Sequence, residues 1–208
     1  MKTETLIHDL VKDASPVKPL APVARRYVTW LVISLFSVAF GTLLIGPRED
    51  IVSSIQDFDF VLQAASTLLI GVVATAIAFF SSVPQLRTKQ GDFLAPVILF
   101  FGVLVFLLSS LHQHDGQLGI GHKCVRNVVL LSLFPISMAS WMLFRSFPLD
   151  KRRTSYLAFL GCAAVGSFST RFVCPQDSSV HFLAWHLLPV LGLGVLGFAL
   201  GHYWNRRA

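Results

Sequence analysis

The sequence predicts an all-α membrane protein with six transmembrane helices, short loops and both termini in the cytoplasm. Hydrophobic residues make up 54% of its 208 residues and charged residues only 13%, against roughly 25% charged residues in a typical globular chain. The charges cluster between long apolar runs, as they do in membrane proteins. Helices are the expected spanning elements, because hydrocarbon offers backbone groups no partner outside their own segment.

Six apolar windows come close to the roughly 20 residues that a helix needs to cross a bilayer. The predicted spans are residues 27–46, 60–82, 93–111, 126–145, 154–173 and 181–203. They divide the chain into a polar N-terminal segment (1–26), a six-helix domain (27–204) and a short tail (205–208). The N-terminal segment lacks the apolar core of a signal peptide, so the first span is expected to remain as an anchor.

Lys and Arg orient these spans. With the N-terminus inside, 13 of the 17 Lys and Arg residues fall on inner segments, and the other four are Arg48, Lys123, Arg126 and Arg171. The positive-inside rule therefore predicts that both termini are cytoplasmic. The net charge of +6 follows from this bias. We expect no direct contact with nucleic acid, because no basic stripe with interleaved aromatic residues is present.

The N-terminal segment predicts a short amphipathic helix followed by a stiff, proline-rich spacer that begins at Pro16. Apolar side chains recur at the spacing of one helical face, at Leu6, Ile7, Leu10 and Val11. So short a helix is unstable alone in water, so it is expected to fold on a partner. The alternative is a helix lying on the membrane, which its acidic residues disfavour.

Two cysteines are expected at the outer membrane level. Cys124 precedes the fourth span and Cys174 closes the fifth, which places both in a compartment that is oxidising in bacteria. A disulfide between them requires a Cα separation below about 7 Å. Cys162 falls inside the fifth span, where a packing role is expected.

Histidines accompany these cysteines. Imidazole and thiolate together suit zinc or copper, and the candidate metal ligands are His112, His114, His122 and His181. The Cys-x₂-Cys and His-x₃-His spacings of structural metal sites are absent, so solvated loop histidines are the simpler interpretation. His186 opens the sixth span and is a minor candidate for binding haem. We expect no cofactor.

The glycine motif Gly-Leu-Gly-Val-Leu-Gly at 192–197 formally matches a dinucleotide fingerprint, but it lies within the last span without a preceding strand. Gly197 and Gly201 instead have the spacing that lets membrane helices approach closely. The predicted span centres contain no ionisable residue, which argues against an ion-coupled transporter.

The segment LIHDLVKDASPVKPLAP followed by six spans resembles the NrsF family of bacterial membrane anti-sigma factors. The other matching features follow in order: Gly46, Arg48 and Asp50 after the first span, Cys124, Cys174, and Trp185-His186 at the start of the sixth. The resemblance implies an inner-membrane protein that holds an extracytoplasmic-function sigma factor. It also implies release of that factor when an envelope stress, an oxidant or a metal, is sensed through the two cysteines.

On this interpretation the protein has no catalytic activity, and its partners are the sigma factor and the lipid bilayer. The predicted sigma-binding residues are Leu6, Ile7, Leu10, Val11, Asp13 and Pro16. Two other functions remain open from the sequence. A membrane thiol oxidoreductase would use Cys124 and Cys174, although no Cys-x-x-Cys pair is present. A small transporter is the other alternative.

Overall fold

The computed structural model describes residues 3–12, 19–83, 102, 104, 118–146 and 148–207. The helices are α1 (Thr3–Lys12), α2 (Val23–Ile45), α3 (Ile51–Ser54), α4 (Phe58–Ser81), α5 (His122–Phe144), α6 (Lys151–Arg171), α7 (Ser179–Phe182) and α8 (Leu188–Arg207). A π-helical turn, Leu183–Leu187, joins α7 to α8. No strand occurs within these ranges, so the all-α class is confirmed for the described part of the chain.

Within the described residues, four helical segments are long and apolar enough to cross a membrane. They are Val23–Ile45, Phe58–Ser81, His122–Phe144 and Ser179–Trp204, which cover the predicted first, second, fourth and sixth spans. The predicted third span, 93–111, lies outside the described residues except for Gly102 and Leu104, which are helical. The predicted fifth span is the helix α6, but it is not apolar enough to qualify by composition. The six-span count therefore stays a prediction.

Helix α6 combines a low hydropathy with a central position in the bundle. It packs against α4, α5 and α8, and its buried residues are mostly small, from Gly161 to Thr170. Small residues let helix backbones approach closely, which is how membrane helices pack without a hydrophobic driving force between them. A Cβ at Gly161 would lie 2.9 Å from the Gly71 carbonyl oxygen of α4, and one at Gly166 the same distance from the Val128 carbonyl oxygen of α5.

The predicted packing role of Gly197 and Gly201 in the last span is confirmed, because both glycines of α8 lie directly against α6. A Cβ at Gly197 would lie 2.6 Å from the Ser155 carbonyl oxygen, and one at Gly201 would meet the backbone of Lys151. A Cβ at Gly192 would meet nothing within 4 Å. Gly194 and Gly197 of the motif therefore face α6, whereas Gly192 does not.

The loops of the bundle meet at two ends. At the cysteine end (46–57, 118–124 and 172–181), the Arg48 backbone N–H donates to the Phe172 carbonyl at 2.9 Å. At the N-terminal end (19–26, 144–151 and 203–207), the Arg26 guanidinium donates to the Met142 carbonyl at 3.3 Å. The helices therefore run back and forth between these ends, as expected for a bundle that crosses a membrane.

The first part of the N-terminal segment is helical, and residues 19–22 are irregular. Helix α1 carries Ile7 and Val11 on its surface, 56% and 68% exposed. The side chains of Leu6 and Leu10 and the whole of Asp13 and Pro16 lie outside the described residues. The predicted helix is thus confirmed, whereas the predicted sigma-binding role of its residues stays a prediction.

Candidate functional site

Four buried side chains meet at the cysteine end and define what we call the Cys–His cluster: Cys124, Cys174, His181 and His186. Cys124 lies in the first turn of α5, and Cys174 follows the end of α6, where its backbone N–H donates to the Thr170 carbonyl at 2.9 Å. His181 belongs to α7 and His186 to the π-helical turn. One donor atom of each side chain lies within 4.8 Å of the others, so four separate segments contribute to a single site.

The two cysteines are free thiols in contact with each other. Their Sγ atoms are 3.2 Å apart, and the side chain of Cys124 donates to Cys174. The Nε2 atom of His181 lies 3.4 Å from the Cys174 sulfur and 3.5 Å from the Cys124 sulfur. The hydrogen bond from Cys124 lowers the pKa of Cys174 against the opposing effect of burial. Cys174 is therefore the sulfur of the pair that ionises first.

His181 is held in one orientation by the loop before α5. Its Nδ1 lies 3.0 Å from the Leu118 carbonyl oxygen, which also accepts from Trp185 Nε1 at 3.2 Å. Because a carbonyl only accepts hydrogen bonds, Nδ1 carries the proton and Nε2 presents its lone pair to the sulfurs. Gly119 adopts a left-handed conformation at φ 55° in this loop, which glycine tolerates without strain.

His186 is fully buried, and neither ring nitrogen meets hydrogen-bond geometry with a described residue, although the ring interacts with the Cys174 thiol. Its ring stacks on Phe182 at a centroid distance of 5.5 Å and lies 5.8 Å from the ring of His181. Leaving a buried polar group without a partner costs about 1–3 kcal/mol. Such groups in a folded protein therefore require an explanation, and a bound ligand is one.

Two buried arginines brace the loop that carries Cys174. Asp177 accepts from Arg48 at 2.7 and 2.8 Å and from Arg171 at 3.0 Å, and the Arg171 guanidinium also donates to the Gln176 carbonyl at 2.8 Å. Arg48 additionally donates to both carboxylate oxygens of Asp50 at 2.6 Å. This Arg–Asp clamp (Arg48, Asp50, Arg171 and Asp177) joins the loop after α2 to the loop after α6.

The charges of the clamp shift the pKa of its members outside the spans. Hydrogen bonds to Asp177 and then Asp50 raise the pKa of Arg48. Burial tends to raise the pKa of Asp177, but the hydrogen bond from Arg48 and the charges of both arginines outweigh it and lower that pKa. Asp177 is therefore an anion throughout the physiological range.

The structure brings together three of the residues that the sequence singled out, namely Cys124, Cys174 and His181. His122 is exposed at the start of α5 and is not part of the cluster. His112 and His114 lie outside the described residues. His186 completes the cluster; the sequence places it beside His181 at the start of the sixth span but indicates it as a ligand only for haem.

The family model described as NrsF, negative regulator of sigma F, matches residues 10–206. The chain belongs to the NrsF family. Comparisons with curated proteins and with solved structures found no match. The NrsF description implies an anti-sigma factor whose partner is a sigma factor. The matched residues include the whole Cys–His cluster and the Arg–Asp clamp.

The cluster gives this NrsF chain two chemical options. Two thiols whose sulfurs already touch can form a disulfide when an oxidant accepts two electrons and two protons leave. Two thiolates with two neutral imidazoles also form the donor set of a tetrahedral metal site. Both options use the same two sulfurs, so they exclude each other.

Proposed function

We propose that the protein holds an extracytoplasmic-function sigma factor at the inner face of the bacterial cytoplasmic membrane. It releases this factor when an oxidant or a metal reaches Cys124 and Cys174. The observation that carries the proposal is the contact between two free thiols in a chain of the NrsF family, 3.2 Å apart. The protein acts by binding and release, without catalysis.

The distribution of charge supports this orientation. The N-terminal end and its flanking turns carry the basic residues Arg25, Arg26, Arg145, Lys151, Arg152, Arg153, Arg206 and Arg207. The cysteine end combines its few basic residues with the acidic residues Glu49, Asp50, Asp57, Asp59 and Asp177. By the positive-inside rule the N-terminal end faces the cytoplasm, so the cluster faces outward, on the side from which envelope stress arrives.

Helix α1 supplies the sigma-binding surface in this proposal. Ile7 and Val11 are exposed, and with Leu6 and Leu10 they follow one helical face. Burying four such side chains contributes roughly 6–12 kcal/mol, at about 1.5–3 kcal/mol each. Ordering the segment on binding takes back several kcal/mol. The helix therefore needs help from basic inner loops to hold its partner tightly.

Release requires that oxidation or metal binding at the cysteines shifts the equilibrium from the sigma-bound state to the free state of the protein. Moving a complex from almost fully held to almost fully free takes about 5.5 kcal/mol of differential stabilisation. A disulfide is worth about 2–4 kcal/mol, which is a large share of that amount. Since Cys124 opens α5 and Cys174 closes α6, a bond between them joins the outer ends of neighbouring helices.

Co-purification tests the sigma-binding function directly. Full-length protein is extracted in mild detergent from reduced cells and captured through an affinity tag, and the retained proteins are identified by mass spectrometry. We expect an extracytoplasmic-function sigma factor in stoichiometric amount, and its loss after oxidation of the cells. Recovery of no sigma factor under reducing conditions would contradict the proposal.

A membrane thiol oxidoreductase is the second candidate, favoured by the contact of the two sulfurs and the lowered pKa of Cys174. It is weakened by burial, since Cys124 is 8% and Cys174 2% exposed, which leaves little surface for a protein substrate. Catalytic turnover of a dithiol substrate by the purified protein would favour this candidate over the regulator.

A further inference from the structure

We infer that Cys124, Cys174, His181 and His186 bind one divalent metal ion of the zinc class, Zn²⁺ or Cd²⁺, in tetrahedral geometry. Ion binding stands on the geometry of the cluster and does not depend on the sigma factor. The role of the ion as a signal rests on the proposed function.

The distances match a tetrahedral site after small adjustments, in which the two sulfurs move slightly apart and His186 moves toward them. With Zn–S near 2.3 Å and Zn–N near 2.0–2.1 Å, tetrahedral geometry places two sulfurs about 3.8 Å apart and a sulfur and a nitrogen about 3.6 Å apart. The observed distances are 3.2 Å between the sulfurs and 3.4 and 3.5 Å from the sulfurs to His181. All four donors lie within 4.8 Å of one another, so His186 has the longest way to move.

The surroundings of His181 are those of a metal ligand. Metal-binding histidines usually donate their other ring N–H to a carbonyl or carboxylate, which fixes the tautomer. His181 donates from Nδ1 to the Leu118 carbonyl at 3.0 Å. In the neutral imidazole the nitrogen that faces the sulfurs therefore carries the lone pair that would bind an ion.

His186 supplies the independent observation. It is fully buried, and neither of its two ring nitrogens meets hydrogen-bond geometry with a residue in the described parts of the chain. The π-helical turn places it beside the thiols, at a position where a bound ion would satisfy one nitrogen. π-Helical turns are rare and occur frequently at functional sites.

The net charge of the occupied site favours a divalent ion. When M²⁺ binds, two thiol protons leave, and the product of one divalent ion, two thiolates and two neutral imidazoles has no net charge. A monovalent ion would leave the buried site with one negative charge, and a trivalent ion with one positive charge. Uncompensated charge is costly in the interior. Tetrahedral S₂N₂ coordination is also the arrangement that d¹⁰ zinc prefers.

A bound ion constrains the protein differently from a disulfide. The disulfide joins the start of α5 to the loop after α6, whereas the ion also joins α7 and the π-helical turn. The ion also occupies both sulfurs and protects them from oxidation. A metal ion and an oxidant are thus two different signals that act on the same two sulfur atoms, those of Cys124 and Cys174.

Full-length reduced protein in detergent, stripped of metal by a chelator, tests the inference by titration with Co²⁺ as a spectroscopic probe and with Cd²⁺. We expect one ion per chain, a tetrahedral Co²⁺ spectrum with thiolate charge-transfer bands, and displacement of Co²⁺ by Zn²⁺. The double variant Cys124→Ser/Cys174→Ser should remove the charge-transfer bands, and each single variant should weaken them. His186→Ala should weaken binding by at least about 10–100-fold, the range seen when even an outer partner of a ligand is removed.

Matched controls separate the site from general thiol and imidazole binding. Cys162→Ser removes the other buried cysteine and His122→Ala an exposed histidine, and both should retain wild-type affinity. Absence of saturable one-ion binding by the wild type, or unchanged affinity in His186→Ala, would overturn the inference. If the sigma factor is captured but no ion binds, the metal site is wrong and the proposed function stands. If an ion binds but no sigma factor is captured, only the proposed function is wrong.

Discussion

His181 and His186 present their rings 5.8 Å apart on one side of a helical segment, although five positions separate them in the chain. An α-helix rotates about 100° per residue, which would point these side chains about 140° apart. The Leu188 N–H instead donates to the Leu183 carbonyl, the i→i+5 bond of a π-helix, in which residues five apart align. This turn brings two histidines of the last candidate span next to each other.

The cysteine pair should be required for induction. We expect the double variant Cys124→Ser/Cys174→Ser to keep its sigma factor bound and to lose the response to oxidant and metal, because both stresses act on the same sulfurs. A sigma-dependent reporter measures this. Cys162→Ser, at a fully buried cysteine outside the cluster, should respond like the wild type. Full induction in the double variant would remove the pair from the mechanism.

The apolar face of α1 should hold the sigma factor. Ile7→Asp/Val11→Asp places two charges on exposed positions, so the bundle should fold and insert normally while the partner is released constitutively. Leu6→Asp/Leu10→Asp should have the same effect. Reporter activity without stress and co-purification measure release. The control is Thr5→Asp, which lies on the other side of the helix. If repression survives both double changes, the segment is not the binding site.

Asp177 should stabilise the cysteine end. Asp177→Asn leaves the buried guanidinium of Arg171 without its carboxylate and removes one of the two carboxylates that face Arg48. Breaking a fully buried pair costs about 3–5 kcal/mol, but the Asp177 side chain is 36% exposed, so we expect about 1–3 kcal/mol. Thermal unfolding in detergent measures the change. Asp50→Asn, at the exposed carboxylate of the same clamp, should change the midpoint much less.

The contribution of Asp177 should depend on pH in one direction. Its pKa is lowered in the folded protein, so the stabilisation is complete above the pKa of an unfolded aspartate, 3.8, and is lost as pH falls through the lower folded value. The difference in stability between wild type and Asp177→Asn should therefore be constant from neutral pH to about pH 5 and shrink under stronger acid. A difference that vanishes already near neutral pH would contradict this assignment.

Two glycines of one motif should respond oppositely to alanine. Gly197→Ala forces a methyl group against the Ser155 carbonyl and the Phe159 side chain, and we expect a loss of about 1–3 kcal/mol. Gly192→Ala meets nothing within 4 Å and should be neutral or stabilising by about 0.4–1 kcal/mol. The midpoints of thermal unfolding compare the two. Equal losses would show that helix propensity, rather than contact, governs this motif.

Much of the helical architecture follows from the sequence because apolar length and small-residue spacing are local properties. Helices α2, α4, α5 and α8 lie close to their predicted spans, and Gly197 contacts its neighbour helix as predicted. The low hydropathy of α6 reflects burial among other helices, which length and charge alone do not reveal. The sequence nonetheless located that helix through its apolar window.

The candidate site was only partly predictable. Cys124, Cys174 and His181 stand out by residue type, whereas His186 becomes a member only through a π-helical turn that α-helical periodicity does not describe. The sequence singles out Arg48 and Asp50 together only as part of the family resemblance, and the contact between Arg48 and Asp177 spans 129 positions of the chain, so local sequence does not reveal it. The five-residue spacing of the two histidines is the one sequence signal that points to the turn.

The composition of α6 has a consequence for biogenesis. A segment of low hydropathy inserts into a bilayer less readily by itself, so we expect α6 to enter the membrane together with neighbouring helices that cover its polar groups. The last of these neighbours, α8, is synthesised after α6 and ends at Arg207. Cys174, His181 and His186 all follow Cys124 in the chain, so the Cys–His cluster can assemble only after residue 186 has been synthesised.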